Sequence, residues 1–466
     1  MTRVHAFGDD ALGDRDAVGL VAALRAGEVS VPEVVDAAVA RARKVNPDLN
    51  GLAFDAFERA RAEARDPRGG FFAGVPSFLK DNVDVQGMPT QQGSDAFVSR
   101  PKKRDGDFAR MFLATGLVPL GKTQLSEFGF SASAEHPRLG AVRNPWHVEY
   151  SAGASSSGSA AFVAAGVVPM AHANDGGGSI RIPAAVNGLV GLKPTRDRLA
   201  QDRMMRQMPV RIISDGVVSR SVRDTAAFLR EAERVYRNLA LPPIGDVTRP
   251  GRSRLRVAVL TRSLNTDSTP EVVAQTLETA ALVESLGHHV EEIPPPVPET
   301  FPDDFLLYWS VLSLYLLRTG RITFGPTWDR TKVDNLSLGL AKHCAANLRH
   351  FPGATARLRR TATDSAELYR SWDVVLTPTL ATPTPRLGHL DPTQTFETVM
   401  ERLLAWVAFT PYQNASGDPA VSLPLGRDGQ GLPMGMMFAA GAGREATLLE
   451  LAYELEQARP WARIQD

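Results

Sequence analysis

The chain has 466 residues, 43% of them hydrophobic, with 52 basic and 52 acidic side chains and a formal net charge of zero. That balance argues against nucleic acid as the main partner. The apolar content suffices for a large core. A single cysteine, Cys344, excludes an intramolecular disulfide and suits a reducing, cytoplasmic compartment.

The amino-terminal segment MTRVHAFGDDALGD holds no apolar stretch of the kind a secretory signal carries. No run of about 18 apolar residues is present to cross a membrane. Ser30-Val31-Pro32-Glu33 reads as a capping box opening an amphipathic helix that ends near Asn46-Pro47. Gly74 to Lys80 reads as a turn feeding a short buried strand. A helix is expected over 105–115, then an apolar strand over 117–120 closed by Gly121-Lys122-Thr123. Ser157 to Gly166 is rich in small residues and helical, and Val167 to Ala173 is a strand stopping at Asn174-Asp175. A helix follows over 221–236, then a Pro-rich connection over 241–253. Strand 254–261, helix 269–286 and strand 288–293 form a βαβ-like unit. After a second Pro-rich loop, 305–356 is aromatic and helical. Strands are expected over 374–379, 420–425 and 434–438, and a last helix over 445–459. The alternation predicts an α/β fold with a mixed central sheet covered by helices on both faces.

The stretch from Tyr150 to Thr195 carries the chemistry. It places five serines in its first ten residues and three consecutive glycines before Ser179, with an apolar run between the clusters. A flexible linker has no use for FVAAGVVPMA or IPAAVNGLVGL. Structured Gly/Ser backbone implies close approach to a ligand, and N–H groups converging in a tight Gly turn suit a developing oxyanion. Ser179 can then present its hydroxyl as a nucleophile, but serine needs a base. Of the nine histidines the nearest, His172, sits within an apolar strand and reads as structural. The Gly-x-Ser-x-Gly elbow of α/β-hydrolases is absent around Ser179. Lys80 is the other option. It ends the apolar run GVPSFLK, where desolvation favours the neutral amine. Work as a base near neutral pH needs a pKa about 3 units below the usual ~10.4. Read alone, a lysine at a strand end is more commonly a solvated edge charge.

The run DGGGSIRIPAAVNGLVGLKPT resembles the signature segment of the amidase signature family. The matching blocks GVPSFLKDNVDVQGMPTQQGS, GKTQLSEFGFS, RNPW, SAGASSSGSAAFVAAGVVP, DVVLTPTLATPTP and GDPAVSLPLG occur in family order, from about residue 20 to 458. The resemblance implies one amidase signature domain over 1–466, with its core at about 70–200 and a less constrained, substrate-side region at about 240–370. It implies a Ser–cis-Ser–Lys triad of Ser179 as acylated nucleophile, Ser155 as bridging serine and Lys80 as base. The backbone N–H groups of Gly176, Gly177, Gly178 and Ser179 correspond to the oxyanion hole. Hydrolysis of a linear, aryl or cyclic carboxylic amide to an acid plus ammonia or an amine follows, with no metal or organic cofactor. A small-molecule amide is the implied partner, with no nucleic acid or membrane, and a homodimer is expected by analogy. Three departures stand out. Ala154 replaces the usual Gly before the cis-serine, Ser157 replaces a following Gly, and Asn174 replaces the Thr of the usual lead-in. The ANDGGGSIRIP form resembles more the branch of the family that includes 6-aminohexanoate cyclic-dimer hydrolase and related actinobacterial amidases, which points to a lactam-type or small amide.

Around the triad, Ser156 and Asp175 are expected to orient it by hydrogen bonds, and Arg181 to pair with a carboxylate and hold the loop. Ser157 and Ser159 read as helix-start packing, and Cys344 as a small core residue. Phe130 and Tyr412 are expected pocket walls, and Asn414 either lines the pocket or makes a turn. Phe305 to Trp309 reads as core or as part of a substrate funnel. Two competing readings remain. In one, the chain is the glutaminase-like subunit of a tRNA-dependent amidotransferase, against which stands Ile182 where such subunits resemble SIRQP. In the other it is a non-catalytic binding protein on the same scaffold, against which stand the intact Lys80, Ser155 and Ser179.

Overall fold

Ser30 Oγ accepts from the Glu33 N–H while the Glu33 carboxylate accepts from the Ser30 N–H. This capping box opens the helix Val31–Leu49. The helix runs past Pro47, where the sequence reading ended it. Its stop is instead Asn50, which turns left-handed at φ 51 and closes its N–H on Asn46 O. Fully buried Val45 and Leu49 hold that last turn on the core. The computed structural model describes residues 3–264 and 266–466. The first two residues of the segment read for a secretory signal lie outside them. No helix among the described residues is long and apolar enough to cross a membrane.

The strands that build the two main sheets are β1 (Leu52–Asp55), β2 (Pro76–Lys80), β3 (Val118–Thr123), β4 (Met170–Asp175), β5 (Val190–Lys193), β6 (Ser214–Ser219), β7 (Arg256–Val259), β8 (His289–Glu292), β9 (Val374–Pro378), β10 (Ala420–Arg427) and β11 (Pro433–Ala439). A three-stranded sheet runs β1-β3-β2, and an eight-stranded sheet runs β8-β7-β9-β11-β10-β5-β6-β4. In the large sheet β7 pairs in parallel with β8 and with β9. The other pairings are antiparallel. The expected βαβ unit is thus present, as β7, the helix Pro270–Ser285 and β8 at one edge of the sheet. The region expected to be less constrained therefore divides. Residues 256–292 complete the central sheet, the helices Phe301–Thr323, Asn335–Asn347 and Phe351–Ser371 follow, and the last of these packs Leu368 and Tyr369 on Ala258 and Val375 of the sheet.

Alternation along β11 shows how both faces are covered. Met434, Met436 and Phe438 join the main core with Val272 and Val283 of the helix Pro270–Ser285 and with Leu448 and Leu449 of the helix Glu445–Ala458. Met437 faces the other way, where its Sδ accepts from Arg181 Nη1 at the start of the helix Arg181–Asn187. The mixed sheet covered on both faces is as the sequence predicts.

Among the strands that run further than their sequence pattern, two extensions seat the site. β3 continues through Gly121 to Thr123 because it is paired on both sides, bringing Lys80 opposite Thr123. β4 continues through Asn174 and Asp175 because β6, which its polar start SDG had hidden, pairs Asp215 with Asn174 and Ser214 with Asp175.

Close contact fixes the helix Arg181–Asn187 on the sheet. A Cβ on Gly435 would lie 2.5 Å from Ala185 Cβ and 2.7 Å from Ala185 Cα, against backbone that cannot yield. Gly435→Ala is expected to lower stability by about 1–3 kcal/mol. The check is a lower urea midpoint at unchanged slope.

Candidate functional site

β2 is buried at every position, so its last residue must place a long cationic side chain inside the protein. Lys80 is 0% exposed. Its Nζ lies 2.7 Å from Ser155 Oγ and 2.7 Å from Asn174 Oδ1. Burial pushes the Lys80 ammonium down to about 7, against the upward pull of the carboxylates of Asp215 and then Asp175. A neutral amine can donate one N–H to Asn174 Oδ1 and still offer its lone pair to the Ser155 hydroxyl. Asn174 also accepts from Asn82 Nδ2 at 3.2 Å, which fixes its orientation. In the sequence Asn174 stands out only as a departure from the family pattern. Its role as the second partner of Lys80 depends on the pairing of β4 with β6.

His172 is fully buried, and its ring makes no hydrogen bond to Ser155 or Ser179 among the described residues. Its Nδ1 accepts from the Lys80 backbone N–H at 3.1 Å, and its ring packs on Phe108 at a centroid distance of 4.5 Å. Burial lowers its pKa. Its ring nitrogens engage the Lys80 backbone and Asp215.

The Ala154–Ser155 peptide bond is cis. Ser155 is 3% exposed and follows Ala154 into the wall of a cavity that Ser179 also lines. Gly129 packs beside it, where a Cβ would come within 3.2 Å of Ser155 Oγ. Ser156 ties the two serine clusters together. Its Oγ donates to Ser179 O at 2.5 Å and approaches Asn174 O at 3.3 Å. Ser157 donates to Gly153 O, and Ser159 donates to His172 O, so both hold backbone at the start of the helix Ser157–Ala164.

The loop from Asp175 to Arg181 is held from behind by a buried ion pair. Arg181 Nε and Nη2 each lie 2.9 Å from an Asp175 carboxylate oxygen. Burial works against the charge on Asp175, yet the Arg181 guanidinium and the Asn414 amide hold its carboxyl well below the usual carboxylate range. Asp175 also accepts from the Gly178 N–H at 2.7 Å and from the Ile180 N–H at 3.2 Å. This corrects one expectation. Gly178, at φ +131, turns its N–H onto that carboxylate and not toward the cavity. The N–H groups of Gly176, Gly177 and Ser179 make no hydrogen bond to another described residue, and these three residues line the cavity. The Ser179 hydroxyl is likewise unengaged among the described residues. From the other side, Thr410 Oγ1 donates to Gly177 O at 2.6 Å, a contact no sequence signal indicated.

Asn414 is a second correction. It lies in the helix Pro411–Ser416, 1% exposed, and does not line the cavity. Its Nδ2 donates to Asp175 O, Asp175 Oδ1 and Ile212 O, and its Oδ1 accepts from Arg181 Nη2. Its neighbour Gln413, which the sequence reading passed over, accepts from Arg181 Nη1 at 3.1 Å and does line the cavity. Phe130 and Tyr412 both form cavity wall. Cys344 is buried among Leu307 and Ala354.

The cavity holds about 1390 Å³. Phe305, Leu306, Trp309, Leu312 and Leu316 of the helix Phe301–Thr323 line it, facing Phe130, Ile182 and Phe409. Phe305 approaches the glycine loop, its ring 3.7 Å from where a Gly177 Cβ would be. The aromatic segment is therefore pocket wall as well as packing.

Fold and site together define an amide-hydrolysing enzyme. The chain belongs to the amidase family, whose model matches residues 33–449. It is 62% identical to "Putative amidase AmiC" of Mycobacterium leprae, over 100% of this chain and 99% of that protein. It is 34% identical to 6-aminohexanoate-cyclic-dimer hydrolase of Pseudomonas sp. (strain NK87), over 96% of this chain and 95% of that one. The solved structure of a 6-aminohexanoate cyclic dimer hydrolase complexed with substrate superposes with a TM-score of 0.88 at 32% identity, covering 97% of this chain and 98% of that chain.

Because Asp175 and Arg181 are both 0% exposed, neutralising one strands the other's charge. Asp175→Asn is expected to cost about 3–5 kcal/mol of stability. Equilibrium urea unfolding of purified wild type and variant measures it.

Proposed function

We propose that the chain hydrolyses its amide through an acyl-enzyme on Ser179, with Ser155 and Lys80 as a proton relay. The observation that carries this is the 2.7 Å contact between a fully buried Lys80 Nζ and Ser155 Oγ. Ser179 Oγ attacks the amide carbonyl carbon, Ser155 takes its proton, and Ser155 passes its own to neutral Lys80. The carbonyl oxygen becomes an oxyanion, facing the N–H groups of Gly176, Gly177 and Ser179. The relay then runs backwards. Lys80 returns a proton through Ser155 to the leaving nitrogen, the C–N bond breaks, and the acyl group stays on Ser179. Water, deprotonated by the same relay, hydrolyses the ester to release the acid and regenerate the serine. Asn174 keeps the amine lone pair aimed at Ser155, and the Asp175–Arg181 pair keeps the donor loop rigid.

We further propose that the substrate is a small-molecule amide with a large apolar group. The cavity exceeds the ~300–1,000 Å³ usual for small-molecule sites. The wall nearest the glycine loop is Phe305, Ile213 and Ile182. Ile182, apolar where a glutamine would reach toward an amide, supports free hydrolysis over an amidotransferase role.

Intact mass after treatment with a fluorophosphonate tests the nucleophile. One adduct on wild type and none on Ser179→Ala is expected, with kcat/KM of that variant at least about 1,000-fold lower. Labelling of Ser179→Ala at the wild-type rate would sink the assignment. Since Lys80 must be neutral, kcat/KM is expected to rise with pH through a midpoint of about 7, where burial has pushed that lysine. In a homologous acyl-amide series kcat/KM should grow by about fourfold per added methylene until the cavity is filled. A preference for acetamide over the longer members would overturn the substrate class.

A further inference from the structure

Behind Lys80 lies a chain of buried groups that the hydrolytic steps do not use. The Lys80 N–H donates to His172 Nδ1 at 3.1 Å, so that nitrogen carries no proton and the ring holds its proton on Nε2. His172 Nε2 faces Asp215 Oδ1 at 3.1 Å, and Asp215 Oδ2 accepts from Gln201 Nε2 at 3.0 Å. Both donors to Asp215 are therefore neutral, and the residue is 4% exposed. Two other charged groups nearby have partners. Asp175 is held by Arg181, and Lys122 lies 3.6 Å from Asp81. Asp202, on the far side of Asp215, is a carboxyl that burial, followed by the charge of Asp215, pushes up to about 6. Asp215 is thus the buried carboxylate facing Lys80 without a bound cation among the described residues.

We propose that Asp215 and His172 are positioning residues for Lys80. The imidazole, locked as the Nε2–H tautomer, seats the Lys80 backbone and holds the Asp215 carboxylate where its charge stabilises the ammonium formed each time Lys80 takes the proton of Ser155. This rests on Lys80 acting as the base. It fits the order of charges acting on that amine, among which Asp215 stands ahead of Asp175 in opposing the effect of burial. Asp215 keeps the lysine from becoming too weak a base as the strand buries it.

The test is the pH dependence of fluorophosphonate labelling and of kcat/KM on two neutral variants, Asp215→Asn and Asp215→Ser, with Asp215→Glu as the charge-retaining control. Removing the negative charge lowers the proton affinity of Lys80. The acidic limb should therefore move down by about 1 pH unit, and the high-pH plateau should fall several-fold because the base is weaker. Asp215→Glu should return the midpoint to that of wild type. Neutral variants that label at Ser179 with an unmoved midpoint, whatever their rate, would reduce Asp215 to a packing role and overturn the proposal. A Lys80→Ala protein that labels as fast as wild type would instead overturn the reading of Lys80 as the base, so the two failures are distinct.

Discussion

The fold buries an amine with no counter-ion bonded to it. Lys80 ends a strand that is inaccessible along its whole length, and its nearest partners are a hydroxyl and an amide oxygen. Removing an ammonium from water without a paired charge is unfavourable, and a protein group in that position responds by giving up its proton. Much of the surrounding architecture follows from this. β3 must extend to Thr123 to close over β2, β4 must extend to Asn174 to offer an acceptor, and β6 must pair with β4 to hold that extension. The basic form of the lysine is a property of the sheets as much as of the residue.

The second constraint is rigidity of the glycine loop. Three successive glycines would normally be mobile, since glycine loses more backbone freedom on ordering than any other residue. Here Asp175 collects the N–H groups of Gly178 and Ile180, Arg181 and Asn414 clamp Asp175, and Thr410 holds the carbonyl of Gly177. The glycines are there for close approach, and their order is supplied by side chains around them. Donors held before the reaction need no reorganisation when the oxyanion forms.

How much of this could be read beforehand differs by residue. The strand ending at Lys80, the capping box at Ser30 and the βαβ unit around Pro270–Ser285 are local patterns of burial, turn chemistry and period, and they are visible in the sequence. The two serine clusters stand out because Gly and Ser in an apolar setting are compositionally odd. Lys80, Ser155 and Ser179 become a set through the family resemblance, since nothing in their spacing brings positions 80, 155 and 179 together. Asn174 and Asp215 were missed as partners because strand β6 opens on polar residues and its pairing is long-range. Asn414 was set against the pocket because an asparagine beside a tyrosine and a glutamine gives no indication of which neighbour faces inward. Gly178 was grouped with its fellow glycines because N–H direction depends on φ, which identity alone does not specify for a residue without a Cβ.

The bonds from Asn414 to Asp175 span 239 positions. That separation has a consequence for how the enzyme comes into being. A chain emerging from the ribosome has made Lys80 and both serines long before the segment that braces their loop exists. Its donor loop has the local bonds of Asp175 to Gly178, Ile180 and Arg181, but lacks those from Thr410 and Asn414 until the Pro411–Ser416 helix has been synthesised and docked. A fragment truncated before that helix would hold Lys80, Ser155 and Ser179 yet lack this part of the brace.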